Sequence, residues 1–118
     1  MKISIISLLI LNLFFASPIF ALTNEEMKKE CSNKAILYNM RGVKIGYELR
    51  GYCPGYLKGV LETLTGTDSK VCKKRAGSLS PNALLSIYEK YMADKDIKES
   101  EQASTTIINA FRRAFLCE

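Results

Sequence analysis

Cys31, Cys53, Cys72 and Cys117 are the residues of this 118-residue chain best able to do chemistry, and successive members lie 22, 19 and 45 residues apart. A four-thiolate zinc site draws its ligands from Cys-x-x-Cys pairs, which these spacings do not supply. Nucleophilic use of a thiol or hydroxyl needs a neighbouring base, and the chain has no histidine. Cys–His pairs, Ser–His–Asp triads and His-bearing metal sites are therefore excluded. The carboxylate pairs Asp94/Asp96 and Glu99/Glu101 fall at expected helix ends, where the helix dipole and solvent account for them. The glycines lie within a helical period rather than in a phosphate-binding loop. The expectation is a binding protein without metal or cofactor, not an enzyme. An even number of cysteines in an exported chain instead implies two disulfides.

Export is indicated by the first residues. Lys2 precedes an almost uncharged stretch from Ile3 to Phe20, and the sequence turns polar at Thr23-Asn24-Glu25-Glu26. Pro18 interrupts the apolar run, and Ala21 supplies a small residue, so residues 1–21 read as a signal peptide cleaved after Ala21. A run of this length also suits an uncleaved membrane anchor, the competing reading. After cleavage, residues 22–118 make a single domain expected in the periplasm, with no membrane association. A domain this small buries only about 60–70% of its unfolded surface, so covalent cross-links are useful.

One of the 17 basic residues, Lys2, belongs to the leader, leaving 16 against 12 acidic ones and a net charge of +4. The dense patch is Lys70, Lys73, Lys74 and Arg75, wrapped around Cys72. Export and the lack of interleaved aromatic residues argue against a nucleic-acid partner, and none is expected. The patch is either a solvated loop or a surface for an acidic partner.

These residues must be positioned by local structure, and the apolar period looks helical throughout. Thr23 or Asn24 caps a first helix over about Glu25 to Tyr38, ended by Asn39 and Gly42. A second runs from about Val43 to Leu64, with a kink or restart at Pro54. Ser80 and Pro81 open a third, and Asp96 with Glu99 form a capping box for a last helix striped by Ala103, Ile107, Ala110, Phe111, Ala114 and Phe115. The predicted fold is all-α, a small disulfide-stapled bundle of about four helices. Gly51, Gly55 and Gly59 recur every fourth residue and predict a groove on the second helix for close packing, within the chain or in a homodimer. An antiparallel pairing of the last two helices places Cys72 beside Cys117 and leaves Cys31 for Cys53. The bridges would close loops of 46 and 23 residues, each worth on the order of 3–4 kcal/mol. Pairing Cys53 with Cys72 and Cys31 with Cys117 is the alternative.

The run Cys53-Pro54-Gly55-Tyr56-Leu57-Lys58-Gly59-Val60, followed by Cys72, a Ser-Pro-led helix ending in Glu89-Lys90-Tyr91-Met92 and a close on Phe115-Leu116-Cys117, resembles the Rap/Tai family. These are immunity proteins of type VI secretion amidase effectors. The resemblance, from about Met27 to Cys117, implies a periplasmic protein that binds and inhibits a secreted peptidoglycan amidase, and members of the family are commonly dimers. The segment Thr65 to Leu79, with Lys70, Lys73, Lys74 and Arg75, is the expected partner surface. A periplasmic chaperone or an envelope-assembly binding protein with another partner is the alternative function.

Overall fold

The computed structural model describes residues 22–117; the expected leader and its cleavage point lie outside them. The described chain folds into five helices and one two-stranded sheet. In order these are α1 (Asn24–Glu30), β1 (Lys34–Tyr38), β2 (Lys44–Leu49), α2 (Cys53–Thr67), α3 (Lys73–Ala76), α4 (Pro81–Lys95) and α5 (Ala103–Ala114). This corrects the expected all-α bundle: the fold is mixed, because a β-hairpin occupies the end of the first expected helix and the start of the second.

The hairpin follows from its turn. The Asn39 side-chain carbonyl accepts the Arg41 and Val43 backbone N–H groups, both at 2.9 Å, and Gly42 takes a φ of +76° that side chains disfavour. Asn39 and Gly42 are thus a hairpin turn, not a helix stop. The strands pair antiparallel from Lys34 opposite Leu49 to Tyr38 opposite Lys44, with an irregularity between Leu37 and Tyr38. Gly51, at φ +73°, turns the chain out of β2 towards α2. At the hairpin's root Cys31 and Cys53 are joined by a disulfide with a Cα–Cα distance of 5.2 Å. Closing that 23-residue loop stabilises the fold by about 3 kcal/mol.

The core lies between α2, α4 and α5, with α1 docked on α5. Leu57, Leu61 and Leu64 of α2 meet Leu84, Leu85 and Tyr88 of α4 and Ile107 and Phe111 of α5, all buried. Within α2, Pro54 occupies the first turn, where its missing N–H costs nothing, so the helix starts there rather than kinking. The start of α4 is the one its sequence marks, with the Ser80 hydroxyl accepting the Ala83 N–H. Asp96 does not open the last helix. It ends α4 in the left-handed region, φ 52°, and α5 begins seven residues later. No side chain caps α5; the Ala103 N–H donates instead to the Leu22 carbonyl at 2.8 Å, beside an isolated bridge between Thr23 and Gln102.

Thr23 caps α1 by accepting the Glu26 N–H and donating its own hydroxyl to the Glu26 carboxylate. Asn24 is buried instead. Its amide donates to the Thr106 hydroxyl at 2.9 Å and the Lys98 carbonyl at 3.1 Å, while its carbonyl accepts the Tyr88 hydroxyl at 2.6 Å. Burial pushes the Tyr88 phenol well above the ordinary tyrosine range, keeping it a neutral donor. This network ties α1 to α4, α5 and the segment between them. Losing the central amide strands several buried polar groups. In urea unfolding, Asn24→Leu is expected to cost about 3 kcal/mol and Tyr88→Phe about 1.5 kcal/mol; equal, near-zero effects would remove the network from the account of stability.

Candidate functional site

The basic residues singled out by composition fall in a segment held more firmly than a loop. The α2 helix continues to Thr67, so the irregular stretch expected from Thr65 is shortened, and α3 supplies one turn of helix within it. Asp68 closes α2 through its N–H to the Leu64 carbonyl. The same carboxylate accepts the Lys70 N–H at 3.0 Å and the Arg112 Nε at 2.9 Å, reaching across to α5. These partners, the Lys70 N–H foremost, hold the Asp68 carboxyl below its ordinary value.

A seam follows. Val71 pairs with Leu116, the Cys72 N–H donates to the Phe115 carbonyl at 2.6 Å, and the Cys117 N–H donates to the Lys70 carbonyl at 2.8 Å. Cys72 and Cys117 are thus brought side by side, as their positions at the ends of the α4–α5 pair require. They are not joined: both are half-buried free thiols, and the expected second bridge is not formed here. The Cys117 thiol is pushed up in pKa, first by its hydrogen bond with the Cys72 thiol and then by burial.

Beyond the seam, α3 presents Lys73, Lys74 and Arg75, all exposed, while Ala76 is buried beneath them. Consecutive helical residues project roughly 100° apart, so the three cations fan out rather than share one face. Lys70 is also exposed. The arrangement is a local positive field over a fixed backbone, with a groove of about 200 Å³ beside it lined by Lys58, Leu61, Glu62, Thr65, Lys73 and Ala76. Among the described residues, no group of three or more His, Cys, Asp or Glu side chains is placed to hold a metal ion.

The glycine ridge does not form as expected. Gly51 lies in the turn before α2, and only Gly55 and Gly59 are on the helix. A Cβ at either would meet nothing within 4 Å, so among the described residues no element uses them for close approach. They floor an open apolar groove of about 390 Å³ walled by Tyr56, Val60, Leu64 and Ile108.

Sequence reasoning missed the hairpin surface. Of the large hydrophobic residues exposed on the described structure, Ile36, Leu37, Tyr38, Met40, Val43 and Ile45 all belong to it. The signal was present in Asn39-x-x-Gly42 between two runs rich in β-branched and aromatic residues.

The depressed Asp68 carboxyl sets the acid response of the seam. Its stabilising contribution is complete above the unfolded-state value, near 3.8, and is lost as the pH falls through the lower folded value. Hydrogen exchange of the Val71 and Cys72 amides is expected to accelerate in that strongly acidic range, and Asp68→Asn to remove this pH-dependent part. An unchanged profile in the variant would assign the acid response elsewhere.

No protein-family model, no curated protein and no solved structure matches this chain.

Proposed function

We propose that this protein is an exported immunity-type binder that blocks a secreted peptidoglycan amidase stoichiometrically, working in the periplasm after cleavage of its leader. The observation that carries the reading is the cationic turn Lys73-Lys74-Arg75, fixed to the body by the Asp68–Arg112 pair on one side and the seam with residues 115–117 on the other. A surface already ordered before contact loses less conformational freedom on binding, which favours tight occlusion of a cleft. Its charges act chiefly on encounter rate and salt dependence against an acidic rim. The resemblance supplies the partner class. Its Cys-Pro-Gly-Tyr motif builds the disulfide-anchored start of α2, and the Cys31–Cys53 bridge suits an oxidising compartment.

In a peptidoglycan-hydrolysis assay with a purified type VI amidase effector, the mature protein is expected to abolish activity at one equivalent. Reversal of Lys73, Lys74 and Arg75 to Glu should slow association about tenfold or more at low salt and leave helicity unchanged. Association at the wild-type rate would make the segment a bystander, and absence of inhibition would overturn the immunity reading itself.

The groove over Gly55 and Gly59, open among the described residues, is the place where a second copy would dock in a homodimer of the same protein. Sedimentation equilibrium is expected to give a dimer at micromolar concentration that Gly59→Lys dissociates; a monomer throughout that range rules the dimer out.

A further inference from the structure

The β1–β2 hairpin projects its apolar residues away from the core. Among the described residues it is engaged at its root: Leu49 is buried, the Asn82 amide donates to the Tyr47 carbonyl at 2.9 Å, and the Arg50 N–H donates to the Asn33 carbonyl at 2.8 Å. Towards the turn, Tyr38, Val43 and Ile45 are 61%, 57% and 65% exposed, and Met40 is fully exposed. Ile36 and Leu37 are neighbours in β1, so they point to opposite faces of the hairpin, and both are about two-fifths exposed. The apolar surface is therefore a two-sided wedge rather than a flat patch. The six exposed residues present on the order of 700 Å² in all, divided between the two faces, and a continuous apolar surface of a few hundred Å² is what marks an interaction site.

Charge separates the candidate occupants. Lys34, Arg41 and Lys44 are interleaved with the apolar residues, and no acidic residue occurs from Cys31 to Tyr47. Strand addition by a second copy is opposed by the short strands, the irregularity after Leu37 and the lysine that begins each strand, Lys34 at the root and Lys44 at the tip. In a protein cleft, Arg41, between Met40 and Val43 at the tip, would need a buried acidic partner in register. At a bilayer surface it needs none: long cationic side chains rise to the phosphates while neighbouring apolar residues enter the acyl boundary, and tyrosine suits that interface.

We infer that the hairpin tip, Tyr38 to Ile45, is a peripheral docking element for an anionic phospholipid bilayer, with Met40, Val43 and Ile45 entering the interface and Arg41 and Lys44 held at the headgroup phosphates. The disulfide at the hairpin's root anchors the wedge to the body. This contact is independent of the α3 surface and of the amidase reading, and it differs from the expectation of no membrane association. Two signals of modest strength, apolar and electrostatic, give reversible binding rather than permanent anchoring.

The chain contains no tryptophan, so Met40→Trp installs a single reporter at the tip. The test uses the chain from Leu22 onward, which holds the whole described core, with vesicles of phosphatidylethanolamine and phosphatidylglycerol and, separately, of phosphatidylcholine. The expected result is a blue shift of Trp emission and co-sedimentation with the anionic vesicles at low salt, both largely lost at about 0.5 M salt. Arg41→Gln with Lys44→Gln should weaken binding roughly fivefold per cation. Lys73→Gln with Lys74→Gln, the same charge change away from the hairpin, should weaken it less. Met40→Asp with Val43→Asp should abolish binding while the far-ultraviolet spectrum and melting temperature stay unchanged. Absence of wild-type binding to the anionic vesicles, or undiminished binding by the Met40→Asp, Val43→Asp protein, overturns the proposal. So does a dimer dissolved by that double substitution without any vesicle binding, which would assign the tip to a second copy.

Discussion

One covalent bond makes the rest of this architecture workable. A two-stranded hairpin on its own is at best marginally stable in water, because it has too little surface to bury and two unpaired edges. Here Cys31 and Cys53 flank the hairpin and close its root, so α1 and α2 are tied at the point where the chain leaves and re-enters the core. The strands need not be fully covered by a helix layer, and the apolar residues towards their turn remain on display. The same bond sets where α2 begins, since Cys53 is its first residue and Pro54 its first fixed φ.

The opposite end is organised by polar groups. A short seven-residue helix such as α1 has too few turns to be stable alone. It is held by a buried amide that reaches three other parts of the chain and by backbone bonds from Asn24 and Glu25 to the carbonyls of Glu101 and Glu99. Among the described residues no buried side-chain polar atom lacks a partner. Folding at this end is therefore specified by hydrogen-bond geometry, whereas between α2, α4 and α5 it is specified by shape.

How far this was legible in the sequence differs between elements. The stripes Leu84, Leu85, Tyr88 and Ile107, Phe111 could be read because a helix buried on one side repeats at three and four residues, and Ser80-Pro81 fixes a start by local chemistry. The hairpin was hidden by an ambiguity of period: Ile45 and Leu49 stand four apart, which suits one helix face and one strand face equally. Asn39 and Gly42 end a helix or turn a hairpin with the same residues, and only the pairing of Lys34–Tyr38 with Lys44–Leu49 decides between them. Asp96 was misread for a related reason, because a short acceptor side chain suits both a helix start and a left-handed helix end. The cationic patch was legible as composition, but its attachment to the body was not. That depends on Asp68 meeting Arg112, 44 residues away.

The seam between residues 70–72 and 115–117 gives the molecule an internal chemical clock. Its two thiols are unlinked and half-covered, while the other two cysteines are locked in the core. Both thiols are partly covered while the strand-like contact holds, so their modification by an alkylating reagent quickens as that contact opens without global unfolding. Ordinary thiol labelling followed by mass spectrometry thus reads the local stability of the platform beneath Lys73, Lys74 and Arg75, residue by residue and in the intact protein.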